Sequence, residues 1–452
     1  MKKEILRLAV PSILANITVP LVGMADIAVA GHLGGGMGGA ALIGGISLGT
    51  MLFDLLYWNF AFLRAGTGGL TAQAFGRGDE TRPILQRALR IALLSAAGLI
   101  LLQWLVVKAA FLVVQCSPEV QALATRYFRI RIWAAPATLS LFAFKGWFVG
   151  MQDSLRPMMS DLLVNALNIL LSVSLGFGWI GMPALGFSGV ALGTVIAQWC
   201  GFAFCLAAAR LRYGFSPWQR FADKAAGGGF FGMNRDLILR STGMIAVYIG
   251  FTVLSARYGD LVLAVSTILM KLLMIFSYFT DGFAFAGEAL TGRFIGEGSR
   301  EGVRRTVRDT YLLTLGVMLL FLLLYGFGGT ALFRMMTSDD TVVRTGRDYL
   351  PWLLLMPVIG CPAFVWDGIF IGATASGDLR NSTLLCAAGF FLTWTVGRAL
   401  LPELRPEAAL HLLMAAYFMH LAIRSLYLSL RYPKLLDAAS RPQGGRRPAG
   451  RQ

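Results

Sequence analysis

The sequence predicts an all-α polytopic membrane protein: twelve transmembrane helices in two pseudo-symmetric six-helix bundles related by a parallel internal repeat. Three observations carry this. Hydrophobic residues make up 56% of the 452 and charged residues only 14%, against about 25% charge in a soluble domain. Too few charges remain to cover a water-soluble surface of this size. Apolar runs of about 20 residues, long enough to cross a bilayer as a helix, recur along the whole chain. Finally, two motifs return at nearly one offset. Leu70-Thr71-Ala72-Gln73-Ala74-Phe75-Gly76-Arg77-Gly78 recurs 220 residues later as Leu290-Thr291-Gly292-Arg293-Phe294-Ile295-Gly296-Glu297-Gly298, and Gly146-Trp147-Phe148-Val149-Gly150 recurs 222 later as Gly368-Ile369-Phe370-Ile371-Gly372. Six spans separate equivalent positions, so the halves run in the same direction. Transporters built from such repeats place substrate between the halves and rock one against the other.

The expected domains are residues 1–211 (first bundle), 212–232 (cytoplasmic linker), 233–430 (second bundle) and 431–452 (tail). The first span, near 5–31, contains Pro11 and Pro20, which remove backbone donors and permit a hinge. It also holds Asp26, flanked by Val22-Gly23-Met24-Ala25 and Ile27-Ala28-Val29-Ala30, with no basic residue within a helical turn or two. An ionisable group at mid-span costs roughly 2.5–3.5 kcal/mol on insertion scales and is a functional candidate by default. A carboxyl without a counter-charge in hydrocarbon favours its neutral form, which suits reversible proton loading. The plainer alternative is a carboxylate satisfied by neighbouring hydroxyls or amides. His32 closes the span as a polar cap or a proton relay.

Spans two to four, near 41–75, 85–115 and 120–150, carry the in-span charges Asp54, Arg64 and Lys145, for which structural pairing is expected, as it is for Asp367. The fifth, near 157–179, holds Asn165, Asn168 and Ser172. Asn168 and Ser172 are four apart, hence on one helical face, and in lipid such groups point into the bundle. They suit hydrogen bonding to a protonated Asp26, cation coordination or interhelical packing alike. Thr194 and Gln198 repeat that spacing in the sixth span, near 185–210.

The polar stretch with Gly227-Gly228-Gly229 reads as the linker. Spans seven to twelve follow near 233–257, 260–296, 302–333, 342–372, 381–401 and 408–430. In the eighth, Asp281 and Glu288 lie seven apart and near one face, with Lys271 ten residues before Asp281. They read as acids that attract cationic substrate, or for Glu288 as a partner of Arg293. The tail after Arg431 is basic and rich in Pro and Gly, so disorder against anionic headgroups is expected.

The net charge is +16, but the basic residues lie mainly in short segments between apolar runs, which argues for a cytoplasmic face and not for nucleic acid. With both termini inside, 28 of the 40 Lys and Arg fall on cytoplasmic segments. Ten, Arg131 among them, fall outside, so the positive-inside rule selects this orientation in the cytoplasmic (inner) membrane. The five cysteines are scattered without metal-ligand or disulfide spacing. The three histidines are far apart, which leaves an intramembrane enzyme as a remote alternative.

Asp26-Ile27-Ala28-Val29-Ala30-Gly31-His32-Leu33-Gly34, Gly69-Leu70-Thr71-Ala72-Gln73-Ala74-Phe75-Gly76 and Gly146-Trp147-Phe148-Val149-Gly150-Met151-Gln152-Asp153 lead to a more specific reading. With Asp281-Gly282-Phe283-Ala284-Phe285-Ala286-Gly287-Glu288-Ala289-Leu290 and Asp367-Gly368-Ile369-Phe370-Ile371-Gly372-Ala373, the chain resembles the multidrug and toxic compound extrusion (MATE) family, in its DNA-damage-inducible F-like (DinF-like) branch. The resemblance runs from about residue 5 to 430. It implies a V-shaped pair of bundles around a central cavity, acting as a cation-coupled antiporter of amphipathic, often cationic compounds by alternating access. Asp26 matches the family's first-helix acid, Pro11 its bending proline, Asn168 its fifth-helix Asn and Thr194 its sixth-helix Thr. One position departs: Ser172 stands where many relatives have an Asp.

A sodium site needs several oxygens and gains from a second carboxylate, so proton coupling is expected, with sodium at Asp26, Asn168 and Thr194 as the alternative. The expected coupling set is therefore Asp26, Asn168, Ser172 and Thr194. The expected substrate cavity holds Asn165, Gln198, Asp281 and Glu288, and the expected hinge Pro11 and Pro20. No cofactor, no catalytic residue and no resident metal are expected, the partners being small organic molecules and the bilayer around a monomer. The rival within transport is a lipid-linked sugar flippase, which would line its cavity with basic groups such as Arg64, Lys145 and Lys271.

Overall fold

The computed structural model describes residues 1–33, 39–113, 116–216, 229–337, 339–401 and 403–440. Twelve stretches among them are long and apolar enough to cross a membrane. The first half is built from α1 (Lys2–Leu33), α2 (Gly39–Asn59), α3 (Phe62–Arg77), α4 (Arg82–Leu101), α5 (Gln103–Val113), α6 (Pro118–Arg131), α7 (Ala135–Gly150), α8 (Leu155–Phe177) and α9 (Phe187–Tyr213). The second comprises α10 (Gly229–Ala256), α11 (Asp260–Gly296), α12 (Arg300–Met336), α13 (Asp340–Asp348), α14 (Leu350–Gly372), α15 (Ser376–Leu400) and α16 (Pro406–Ala439). Many large apolar side chains are exposed, Phe327, Leu211 and Leu101 among them, as a surface facing lipid requires.

Several spans are broken helices. Pro136 near the start of α7 cannot donate to the preceding turn, and Ile132–Ala134 tighten into a 3-10 turn between α6 and α7. The break leaves Arg131 at the end of α6 inside the span, not in an outer segment as the charge count assumed. By contrast α1 runs unbroken through Pro11 and Pro20. The tail expectation needs correcting at its start. α16 continues to Ala439 because Leu435 and Leu436 are buried and Arg300 pairs with Asp437, so residues 431–439 are helical. The linker positions 217–228 and the tail from 441 lie outside the described residues, and α10 already begins at Gly229.

The repeat is visible in atomic contacts. A β-carbon on Gly146 of α7 would strike the Arg64 carbonyl of α3, and one on Gly368 of α14 would strike the Ala284 carbonyl of α11. The same holds for Gly150 against the Gly68 carbonyl and Gly372 against that of Glu288. Each pair is related by the offsets seen in the sequence, so the repeated glycines are sites where helix backbones touch. The only two non-glycine residues with positive φ among those described, Gln152 (62°) and Thr374 (54°), are also 222 apart and end the equivalent helices α7 and α14.

The halves meet on the side that carries both described chain ends. Gly76 of α3 abuts the Arg293 carbonyl of α11, and Gly296 of α11 abuts the Gln73 carbonyl of α3, a two-fold crossing. Gln73 donates to the Gly372 carbonyl (3.1 Å) and to Thr374 Oγ1 (3.0 Å), while Gln152 donates to the Ala289 carbonyl (2.8 Å). Asn16, at mid-depth of α1, donates to the Tyr278 carbonyl (3.2 Å).

Candidate cation-coupling site

Three helices of the first half build the site. α1 brings Asp26, α8 brings Asn165, Asn168 and Ser172, and α9 brings Thr194 and Gln198. Their close approach has a local cause. Gly193 of α9 lies against the backbone at Leu171 and Ser172, and Gly176 of α8 against Val29 of α1. Small residues let helix backbones approach in a membrane, and here they draw the polar groups of three spans together.

Asp26, Asn168, Ser172 and Thr194 are all buried. Ser172 Oγ donates to Asp26 Oδ1 at 2.9 Å. Asn168 Nδ2 donates to Thr194 Oγ1 at 2.8 Å, and Thr194 Oγ1 donates onward to the Val190 carbonyl at 3.2 Å. The expected direct bond between Asp26 and Asn168 is not formed in this state. The residue that departs from the family pattern, Ser172, is the one that touches the acid. The carbonyl oxygen Oδ1 of Asn168 is buried and has no hydrogen-bond partner. A buried acceptor left unpaired is costly, about 1–3 kcal/mol, so this oxygen marks where a donor or a cation would be welcome. Asp26 itself makes no ion pair among the described residues.

The expected substrate-cavity residues come from both halves. Asn165 donates to Thr18 Oγ1 of α1 at 2.6 Å, and Gln198 is half-buried on α9. Asp281 and Glu288 belong to the other half. Glu288 does not pair with Arg293, which instead bonds Glu297 (2.8 Å) and lies 3.7 Å from Glu4. Glu288 is wholly buried and bonds Arg64 of α3 at 3.1 Å, across the two halves. The other in-span charges divide. Lys145 pairs with Asp161, and Asp367 is bound by Arg240 (2.7 Å) and by Arg424. Asp54 is exposed and has no described ion pair. His32 is exposed, with Nδ1 2.8 Å from the Ala28 carbonyl, as a helix-end cap would be.

Three in-span arginines, Arg424 buried and Arg131 and Arg240 half-buried, escaped the sequence reading because each was assigned to a segment between spans. Arg131 donates to Thr50 Oγ1 (3.2 Å) and Tyr127 OH (3.1 Å) and lies 4.9 Å from the centroid of the Phe53 ring. Arg240 and Arg424 hold Asp367. Apolar residues on both sides, as in Leu421-Ala422-Ile423 before Arg424 and Leu426-Tyr427-Leu428 after Ser425, were the available signal.

The MatE family model matches residues 11–174 and 237–392, one segment in each half. The chain is 34% identical over 441 residues to the DNA damage-inducible protein F of Escherichia coli (strain K12), covering 94% of this chain and 91% of that protein. It is 23% identical over 390 residues to the probable multidrug resistance protein NorM of Thermotoga maritima, covering 84% and 80%. Among solved structures, the Vibrio cholerae MATE transporter VcmN in the bent form superposes with a TM-score of 0.83 at 17% identity, covering 97% of each chain. An outward-facing MATE family transporter of the MOP superfamily superposes with a TM-score of 0.81 at 18% identity, again covering 97% of each.

Proposed function

The chain belongs to the MatE family of membrane-spanning transporters, and on that premise we propose that it expels amphipathic, often cationic organic compounds across the cytoplasmic membrane in exchange for protons. The observation that carries the reading is the pairing of Asp26 with a hydroxyl, beside an Asn168 oxygen that has no partner. An acid held only by a neutral donor can exist charged or neutral. When Asp26 takes up a proton it becomes a donor, and the vacant Asn168 acceptor is the group α8 offers to it. That exchange of partners would pull α1 against α8 and reshape the cavity that the family resemblance implies between the halves, with Pro11 and Pro20 as the points where α1 can bend.

The direction follows from the contacts between halves. The described hydrogen bonds and ion pairs joining them run from the chain-end side to mid-depth, so this state is closed there. With both termini cytoplasmic, as the excess of Lys and Arg on that side favours, the closed side is the inner one and the state faces out. Sodium remains the alternative ion, because Asp26, Ser172, Asn168 and Thr194 each carry a side-chain oxygen. A second carboxylate is missing from the set, and this favours the proton. The flippase alternative loses ground, since two of its three basic candidates, Arg64 and Lys145, are neutralised by Glu288 and Asp161.

Asp26→Asn tests the assignment. The variant should insert normally yet lose efflux of a cationic dye from cells, to background level. Normal export by that variant would refute the role of Asp26.

A further inference from the structure

A cluster of buried and half-buried charges beside the contact of Arg64 with Glu288 is not balanced within the second half. The second half supplies three acids, Asp281, Glu288 and Asp367, against two bases, Arg240 and Arg424. The third base is Arg64 of α3. Its Nη1 lies 3.1 Å from Glu288 Oε2, its guanidinium stacks 4.3 Å from the centroid of the Phe285 ring, and it is within electrostatic reach of Asp281 and Arg240. The other two bases are already engaged. Arg240 Nη2 donates to Asp367 Oδ2 at 2.7 Å and Arg424 Nε to Asp367 Oδ1 at 3.0 Å, so both are directed at Asp367, and the guanidinium bonded to Glu288 is that of Arg64.

The fit around Glu288 is that of a socket. The carboxyl is wholly buried and its Oε1 has no hydrogen-bond partner. That oxygen fills the space where Gly68 of α3 lacks a side chain, since any β-carbon there would collide with it. One half thus presents a guanidinium and a gap, and the other a carboxylate that enters both.

We propose that Arg64 and Glu288 are the gate on the chain-end side of the transporter: the ion pair that closes the interface between the halves, and whose parting leaves an unbalanced carboxylate inside the second half. A buried charge that loses its partner is strongly penalised, so the pair holds the closed form. Alternating access, as proposed above, supplies the opening motion; the identity of the coupling ion and the role of Asp26 do not enter.

The test is a distance measurement on the full chain in lipid nanodiscs, without gradient or substrate. The five native cysteines are replaced, and spin labels are placed through Glu80→Cys and Arg300→Cys, one on each half at the chain-end side. The parent should show mainly the short, closed distance. Arg64→Gln and Glu288→Gln should each raise the ratio of open to closed by about tenfold or more, and the double variant should raise it no further, because each single change already removes the whole interaction. Arg64→Lys keeps the charge and should stay mainly closed, which a purely steric role for Arg64 does not predict. Unchanged distances in both Gln variants would overturn the gate, as would a double variant whose effect is the product of the two. If Arg64→Gln fails to insert, Glu288→Gln and Arg64→Lys decide the question. Because Asp26 is intact throughout, the gate can fail while proton-driven efflux stands, and the reverse.

Discussion

At position 172 a hydroxyl faces Asp26 (2.9 Å), and this residue choice separates two coupling chemistries. A serine oxygen can accept from or donate to one acid, but it adds no charge to attract a metal ion. Replacing it with a carboxylate would set two acids side by side, which cannot both ionise without a cation between them. Ser172→Asp should therefore give efflux a dependence on sodium that the parent lacks, several-fold in initial rate at fixed pH, measured as dye export with and without sodium chloride against potassium chloride. An equal rate in both salts would contradict the reading of Ser172. Asp26 was legible in the sequence because a lone acid in an apolar run has few innocent explanations. Its partner was not, because spacing places Asn168 and Ser172 on one face without saying which of them reaches α1. The unpaired Asn168 oxygen is a fact of three helices together and has no trace in any one of them.

Among the elements, the helices that matter most are α3, α7, α11 and α14, which carry the repeated glycines. The strings themselves were plain in the sequence and gave the parallel duplication. What they do required the partner backbones: Gly146 and Gly368 bring helices together within each half, whereas Gly76 and Gly296 bring α3 and α11 together between halves. A carbonyl cannot swing aside as a side chain tip can. Gly296→Val should thus cost about 1–3 kcal/mol through overpacking, seen as a lower melting temperature of the detergent-solubilised protein. Gly316→Ala on α12 is the control, since nothing lies within 4 Å of the added carbon and Ala is better than Gly in a helix by about 1 kcal/mol. Equal melting temperatures for Gly296→Val and the parent would show that α3 and α11 do not pack as described. The broken spans were less legible. Apolar composition alone does not distinguish one long helix such as α11 from the pair α2 and α3, which join through the turn at Phe60 and Ala61.

For the whole molecule, twelve spans in two halves followed from hydropathy and repeat alone, and the family follows from the residues matched in both halves. Charge was read less well. Counting Lys and Arg by segment assigned Arg131, Arg240 and Arg424 to the membrane surfaces, yet each lies within a span and bonds a partner from another helix. A basic residue's depth depends on which acid or hydroxyl the fold brings to it, and that pairing is long-range. The first half thus holds an acid, Asp26, bonded to a neutral hydroxyl, while in the second Glu288 and Asp367 are paired with arginines. On the function proposed, Asp26 is the group that exchanges the cation. Purified protein in liposomes, loaded with a cationic dye, tests this most directly when a pH gradient and a sodium gradient of equal size are imposed separately. The account predicts that the pH gradient alone drives dye movement, that the sodium gradient alone does not, and that Asp26→Asn responds to neither. Dye movement driven by sodium alone, or by protons in the Asp26→Asn protein, would contradict it.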